Sequence, residues 1–479
     1  NGYISLNDAI TLAQIGQGTP VAGLTVNAGD STSAINLTAD ITASGNVEFQ
    51  NTSELDLAAG VDVTATGTSD IIASTGITAI DFSDGAAGTN ILTAGQDISL
   101  VATNITDSAA GPDTVRLAPA RSLTLGGTTL LDGGSNPTLD IDIGTSGTGT
   151  LAFNSGSVTA GTIDIDGAGD DDTVDINQNL TASAGVLDIA GVSAINIDAS
   201  GARTLTASAA AIGLNTASAD IVIDNGNSAV TIENTGGDAA VVLSKNITAA
   251  GENALNINST GNITVSGIDL YNATTGGTLT MNVDSNNGAT GVITVNGNWE
   301  VGQIDINGGT TTNNFDIAGA HTLLSKAGGI EIADSGKIAL VLSGSGTTST
   351  VTNDNSSSPD VVLGAVDGDN SGAGNEASLT VNSTGNITIG AVDLWDSGSG
   401  GGTLIANFDT DGGETETLSL GSLTVGGLSI SGNADKDEIF TKDNSGTLET
   451  KSSGSNISLS NLGTVTFQDN VTSAGGISI

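Results

Sequence analysis

Short runs of alternating apolar and polar residues fill most of the chain. Each run has three to seven residues, with an apolar residue at every second position, and is bounded by Gly, Ser, Asn or Asp. Such runs predict β-strands with one dry face, because side chains in a strand alternate between its two sides. Examples are LTV at 24–26, INLTADI at 35–41, LDIDI at 139–143, IDI at 163–165 and VTF at 465–467. The pattern continues to the end of the chain and predicts an all-β fold.

One helical pattern lies near the start of the chain, in SLNDAITLAQ at 5–14. Ser5 can cap the first turn, and Gly16 follows the last one. The apolar residues have helical spacing, at Leu6, Ala9, Ile10 and Ala13. This predicts a short N-terminal helix, which would cap the first exposed strand edge.

Two internal repeats support a solenoid. NSTGNITVSGIDLYN at 258–272 returns as NSTGNITIGAVDLWD at 382–396, with nine of fifteen positions identical and an offset of 124 residues. IDIDGAGDDDTVDI at 163–176 aligns with IDINGGTTTNNFDI at 304–317, and the series continues at 428–440. Copied strand-and-turn units are typical of solenoids, in which each coil packs only on its neighbours.

The repeats divide the chain into five predicted segments. Residues 1–20 form the capping segment, and 21–150 form divergent solenoid coils. Three repeat blocks follow at 151–291, 292–417 and 418–479; the last is incomplete and ends in an open C-terminal coil. We expect about 20 to 30 residues per coil.

Tandem immunoglobulin-like sandwiches are the alternative architecture, since they also give short strands and long repeats. They usually bury a Trp or Tyr in each domain, whereas this chain of 479 residues has two Trp and two Tyr. Very short strands and small interior residues favour a parallel β-solenoid.

The charge of the chain limits its partners. Lys and Arg total 9 against 53 Asp and Glu, a formal net charge of −44. Nucleic acid is excluded as a partner because phosphate binding needs basic residues, and an anionic membrane surface would repel the chain. The chain contains no run of about 18 apolar residues, so direct membrane insertion is not predicted. Hydrophobic residues make up 37% of the chain, which argues against disorder.

Asp-rich turns are the candidate calcium sites. GAGDDDTVD at 167–175 resembles a degenerate unit of the calcium-binding nonapeptide repeat of secreted bacterial proteins. DGDNSG at 367–372 and DTDGG at 409–413 have the D-x-D spacing that lets two carboxylates face one hard cation. Alternatively, these acids are solvated turn residues that keep the protein soluble. The candidate ligands are Asp170, Asp172, Asp367, Asp369, Asp409 and Asp411.

Catalytic residues are not predicted. The chain has no Cys, and its single His321 aligns with Gly446 in the repeat, so no nucleophilic dyad or triad is indicated. A polysaccharide-active β-helix enzyme is a less favoured alternative, because sugar clefts need aromatic platforms and aromatics make up 2% of the chain. No cofactor is predicted to be required, and Ca²⁺ is the only ion for which candidate ligands are found.

Several stretches resemble the giant secreted β-solenoid proteins of bacteria, the filamentous-haemagglutinin-type adhesins and autotransporter passengers. They are GNITV at 261–265, GNITI at 385–389, SLNDAI at 5–10 and the closing GTVTFQDNVTSAGGISI at 463–479. SLNDAI is also similar to the S-L-R-E-A-I signature of some right-handed bacterial β-helices, although Asn7 and Asp8 replace its Arg and Glu.

The resemblance implies a non-enzymatic extracellular rod that serves as an adhesin stalk or as a cell-surface filament or sheath component. It also implies right-handed coiling, as in those β-helices. The alternative is a surface-layer or filament subunit that polymerises end to end, with calcium as a possible requirement. The expected partners are other copies, bound through the open C-terminal coil or along neighbouring rods, and a host or cell-surface ligand.

Overall fold

The computed structural model describes most of the chain. It covers residues 2–5, 9–30, 32–82, 88–107, 113–131, 136–145, 147–154, 156–168, 171–224, 226–249, 252–272, 275–286, 290–309, 312–333, 338–344, 346–368, 377–395, 401–411, 415–433, 438–443, 446–452 and 455–479. These residues form a parallel β-solenoid, as the alternation of apolar residues predicts.

The chain divides into two compact units. Unit 1 comprises Asn1–Asn225 with Val230–Lys245, and unit 2 comprises Gly226–Ala229 with Asn246–Ile479. The division lies inside the predicted repeat block 151–291. In each unit, successive strands belong to three parallel sheets in rotation, so one coil contributes one strand to each sheet.

Unit 1 contains sheets A, B and C. Four long strands run from sheet A into sheet B, namely Val47–Leu57, Ile71–Phe82, Ile98–Asp107 and Leu123–Leu131. Sheet A also contains Gly2–Ser5, Leu24–Asn27, Thr150–Phe153, Thr173–Ile176, Ala194–Asp198 and Ile221–Asp224. Sheet B also contains Ile10–Leu12, Ala34–Leu37, Val158–Ala160, Leu180–Ala182, Arg203–Ala207 and Val230–Asn234. Sheet C contains Ile41–Ala43, Val63–Ala65, Thr89–Ala94, Thr114–Pro119, Thr138–Ile143, Thr162–Gly167, Leu187–Val192, Ile212–Thr216 and Val241–Leu243.

Unit 2 contains sheets D, E and F. Sheet D is built from Ile247–Ala249, Ile268–Asp269, Trp299–Val301, Thr322–Ser325, Thr348–Asn353, Ser378–Asn382, Thr403–Asn407, Gly427–Ser431, Ile457–Ser460 and Ile477–Ser478. Sheet E is built from Leu255–Asn258, Thr278–Asn282, Gln303–Asn307, Ile330–Ile332, Val361–Leu363, Ile387–Ile389, Thr417–Leu420, Ile439–Lys442 and Thr464–Phe467. Sheet F is built from Ile263–Val265, Val292–Val295, Asn313–Ile317, Ile338–Leu342, Ala365–Asp367, Val392–Leu394, Leu423–Val425, Leu448–Thr450 and Val471–Ser473. Tyr271–Asn272 and Thr275–Gly276 form a small antiparallel hairpin.

The coil length varies along the ladders. Ile35 pairs with Leu55, 20 residues later, whereas Ile330 pairs with Val361, 31 residues later. The turns absorb this variation, because the paired strands keep like residues above one another. The prediction of about 20 to 30 residues per coil is therefore confirmed.

The core of each unit is a set of stacked aliphatic rows. In sheet C, for example, the side chains of Ile163, Leu187, Ile212 and Val241 lie above one another and are fully buried. Burying such a side chain contributes about 1.5–3 kcal/mol to folding. Larger side chains also occupy these inward rows, and Phe153 stacks on Leu125 and Phe315 on Ile293. They include Phe49, Phe82, Phe153, Trp299, Phe315, Phe408 and Phe440.

The prediction of an N-terminal helix at 5–14 is wrong for Ser5 and for Ile10–Leu12, which lie in β-strands. Ser5 ends the strand Gly2–Ser5, and Ile10–Leu12 is a strand of sheet B; residues 6–8 lie outside the described residues. Ile10 and Leu12 are two positions apart, so they also satisfy a strand pattern, and both point inward against Ala34–Leu37. Pairing between coils outweighs helix propensity here, because a short helix has little stability of its own.

Within the ranges given above, no helix is long and apolar enough to cross a membrane.

Candidate functional site

The predicted calcium ligands do not come together at one place. Asp170 and Asp369 lie outside the described residues. Asp367 is exposed at the end of the strand Ala365–Asp367, where it pairs in register with Asp393 of the next coil. Of the two carboxylates in this D-x-D pair, only that of Asp367 lies among the described residues.

Asp172 is fully buried and has a structural contact. Its Oδ1 accepts a hydrogen bond from the Gly149 N–H at 2.7 Å. The carboxylate also lies so close to Gly144 that a Cβ there would clash with it, and the φ of +72° at Gly144 separately favours glycine. Its backbone carbonyl accepts hydrogen bonds from Ser193 and Ala194 of the next coil. Asp172 thus closes a turn between coils.

Asp409 and Asp411 have different surroundings. Asp409 is buried and has a φ of +51°, whereas Asp411 is exposed to solvent. The two carboxylates therefore differ in solvation although they are only two residues apart. Nowhere in the described part of the chain do three or more His, Cys, Asp or Glu side chains form a group that could hold a metal ion.

Asp409 instead lies beside Glu438, a buried acid of the cluster that the sequence shows at Asp435, Asp437 and Glu438. Glu438 Oε1 accepts a hydrogen bond from the Asn433 N–H at 2.7 Å. Glu438 Oε2 is buried, and no donor among the described residues reaches it. Burial raises the pKa of the Glu438 carboxyl, the backbone hydrogen bonds lower it, and the hydrogen bond and charge of Asp409 raise it further.

A second acidic feature lies on the outer face of sheet C. We call it the acid ladder, and it consists of Asp140, Asp142, Asp164, Asp166 and Asp188. Asp140, Asp164 and Asp188 stack in register on successive coils, and Asp142 stacks on Asp166. Neighbouring strands are about 4.8 Å apart, so the carboxylates of adjacent coils repel one another.

Arg116 ends the acid ladder on one side. Its guanidinium forms an ion pair with Asp142 at 2.5 Å and lies 3.8 Å from Asp140. Burial raises the pKa of Asp140, Asp164 and Asp188, and repulsion from neighbouring aspartates raises it further. The attraction of Arg116 partly offsets this rise at Asp140.

The single His and the rare aromatic residues have structural contacts. His321 Nε2 lies 3.2 Å from the Ala318 carbonyl oxygen. Trp299 is buried. Its Nε1 donates to the Ser266 carbonyl oxygen at 3.1 Å, and its ring packs edge-to-face on Phe315. Tyr271 lies against Gly276, and Trp395 lies against Gly401 in the second copy of the repeat.

Sequence analysis did not show which acids meet in either feature, for a common reason. The LDIDI and IDI runs indicate outward aspartates, and Asn313 is equivalent to Glu438 at the same 125-residue offset that relates His321 to Gly446. Neither pattern shows which residues of neighbouring coils stack, because the turns between them vary in length. The stacking becomes visible only from the register of the ladders.

Comparisons with known proteins identify no relative, because no family model, curated protein or solved structure matches the chain.

Proposed function

We propose that the protein is a non-enzymatic extracellular structural protein, a β-solenoid rod that serves as an adhesin stalk or as a cell-surface filament or sheath component. One observation carries the proposal: within each unit, successive coils continue the same three parallel sheets and their inward rows. Each added coil extends the unit along the stacking direction, while hydrogen bonds to both neighbours protect its backbone.

The acidic composition supports an exposed location. A net charge of −44 keeps a long surface soluble and keeps parallel copies apart. The hydrogen-bonded ladders also protect the backbone of the described strands from proteases. Both properties suit a spacer that holds another domain away from a cell.

Electron microscopy of the purified chain tests the proposal. The expected result is uniform elongated particles, with backbone segments that resist broad-specificity protease under native conditions. Compact globular particles, or rapid digestion throughout both units, would contradict a role as a rod. Incubation with surface polysaccharides is expected to release no sugar product; product release would instead support a polysaccharide-active enzyme.

Self-association through the last coil is a second candidate. Ile477 is 50% exposed and Ile479 is 79% exposed. Ile477–Ser478 pairs with Ile457–Ser460 on one side, so its other edge can accept a further strand. A second copy, or a continuation of the same chain, could cover this surface.

A concentration series monitored by light scattering tests this candidate in calcium and in chelator. Ile477→Lys is expected to reduce association at equal concentration. Unit-wide protection from hydrogen exchange should stay unchanged in this variant, since the substitution lies in the terminal coil. A wild-type protein that stays monomeric at all concentrations in both buffers would contradict self-association through the last coil.

A further inference from the structure

Asp284 and Asp409 occupy equivalent positions in the duplicated segment. TLTMNVD at 278–284 aligns with TLIANFD at 403–409, an offset of 125 residues. Both aspartates are buried and both have a positive φ, +53° for Asp284 and +51° for Asp409. The residue after each donates a backbone hydrogen bond to an equivalent serine, Ser285 to Ser259 and Thr410 to Ser383. The backbone of this corner is therefore alike in the two copies.

The residues that complete the two corners differ in chemistry. Asn313 in the first copy corresponds to Glu438 in the second, and both are fully buried. Asn313 Oδ1 accepts a hydrogen bond from the Gly291 N–H at 2.6 Å. Gly291 in turn corresponds to Glu416, which is also buried and whose backbone carbonyl accepts a hydrogen bond from Ile439. The second corner thus contains two more carboxyl groups than the first.

The described charged groups packed around Glu438 are acidic, apart from one lysine that is bonded elsewhere. The preceding coil contributes Asp409, Glu416 and the exposed Asp411. On the same strand, Lys442 points inward and its Nζ donates to the Asp443 carbonyl oxygen at 2.6 Å. The following coil contributes no ionisable side chain at 461–464. Asp435, Lys436 and Asp437 lie outside the described residues.

Asp409 and Glu438 meet at this corner, because Phe408 donates a backbone hydrogen bond to the Ser431 carbonyl oxygen of the next coil and the Glu438 carboxyl lies against the adjacent Gly432. Two buried carboxyl groups at one corner cannot both ionise without a large cost, since they repel each other and lose hydration. An amide such as Asn313 has N–H donors at every pH. A carboxyl has a donor only while it is protonated. Glu438 therefore offers a donor in the position of Asn313 only under conditions in which it keeps a proton.

We propose that Glu438 and Asp409 form a proton-operated latch, in which one shared proton closes this corner of the coil and loss of that proton loosens it. The raised pKa of Glu438 agrees with the geometry. Because the closed corner binds the proton more tightly than the open one, the stabilisation is complete below the ordinary glutamate pKa. It is lost as the pH rises through the raised value.

Hydrogen exchange of the purified chain, measured by mass spectrometry between pH 4.5 and 8 and corrected for intrinsic exchange, tests the latch. The wild-type protection of peptides within 401–443 is expected to fall with rising pH, by up to about tenfold per pH unit between the ordinary and the raised pKa. Peptides within 278–317, the matched corner with Asp284 and Asn313, are expected to show no such fall.

Variants separate the proton from other causes. Glu438→Gln keeps a donor at every pH, so it should remove the pH dependence and raise the protection at pH 8. Asp409→Asn should do the same and serves as the second variant if Glu438→Gln does not fold. Asn313→Asp should introduce pH dependence at the first corner, since it places a second carboxyl near Asp284.

Two results would overturn the latch. One is a pH-dependent loss of protection that persists in both Glu438→Gln and Asp409→Asn. The other is protection by millimolar CaCl₂ at pH 8 that is present in the wild type and absent in Glu438→Gln, which would assign the pair to a cation. In the wild type, carboxyl-carbon NMR of Glu438 gives an independent measurement, and titration at the ordinary glutamate pKa would also contradict the proposal.

Discussion

Gly302 packs directly against Gly276 of the neighbouring coil. A Cβ on Gly302 would lie within 3.0 Å of the Gly276 carbonyl oxygen, closer than real Cβ atoms approach backbone. Gly426 and Gly401 have the same relationship in the second copy of the repeat. The Tyr271 ring covers Gly276, and the Trp395 ring covers Gly401. The two coils can therefore meet at these corners only when both residues lack a side chain.

Gly302→Ala is expected to destabilise unit 2 by about 1–3 kcal/mol, because the added methyl group forces the two coils apart. Gly426→Ala should have a similar effect. Gly147 has open space around its Cβ position, so Gly147→Ala is the control and should change the free energy of unfolding little. Urea unfolding measures all three, and equal stability of Gly302→Ala and Gly147→Ala would contradict the prediction.

Ile306 and Asp305 are neighbours on one strand with opposite orientations. Ile306 is buried in the inward row of sheet E, between Met281 and Ile332, whereas Asp305 faces outward. Ile306→Ala should cost about 2–5 kcal/mol of unfolding free energy, since it leaves a cavity. Asp305→Ala should cost less than about 0.5 kcal/mol. A larger loss for Asp305→Ala than for Ile306→Ala would mean that the inward rows do not dominate the stability.

The acid ladder should make unit 1 less stable as the pH rises. The folded-state pKa of Asp140, Asp164 and Asp188 is raised, so these groups bind protons more tightly in the folded state than in the unfolded state. Their contribution is complete below the ordinary aspartate pKa and is lost as the pH rises through the raised values. Asp164→Asn should therefore flatten the dependence of unfolding midpoint on pH between about 4 and 7.

Salt provides the control for the acid ladder. Added NaCl should raise the unfolding midpoint of the wild type at pH 7, because it screens repulsion between partly exposed carboxylates. The gain should be smaller in Asp164→Asn. Arg116→Gln should lower the midpoint at low salt, since it removes the attraction to Asp142. A wild-type midpoint that rises from pH 4 to 7 in unit 1 would contradict the assignment.

Asp172→Ala should destabilise unit 1 by about 1–3 kcal/mol, because it leaves the buried Gly149 N–H without its acceptor. If Asp172 acts only through this hydrogen bond, the loss of unfolding free energy should be the same in calcium and in chelator. If Asp172 instead binds calcium, the loss should be large in calcium and disappear in chelator. Asp411→Ala, at an exposed candidate ligand, is the matched control and should leave the unfolding free energy unchanged in chelator.

The sequence by itself determined the strands and the faces they bury. Alternation at LDIDI and IDI requires Leu139, Ile141 and Ile163 on one side and the aspartates on the other, and the structure buries the first set and turns the second outward. The alternating runs, which continue to the end of the chain, indicated an all-β fold, and the repeats indicated the coil length. The physical reason is local, because the side-chain period of two holds along any strand.

The tertiary structure alone decided which strands share a sheet. The strand ending at Asn258 belongs to sheet E, whereas its copy ending at Asn382 belongs to sheet D. The 124-residue repeat is therefore displaced by one side of the coil, which no sequence alignment shows. Each strand-and-turn unit fits any of the three sides, since all three bury the same kind of row.

Pairing between coils also decided the N-terminal strand Ile10–Leu12, the stacking of Asp140 on Asp164 and the meeting of Asp409 with Glu438. These contacts join residues about 20 to 30 positions apart, across turns of unequal length. A local pattern cannot specify their register. The cooperative closing of hydrogen-bonded ladders over buried rows fixes it instead.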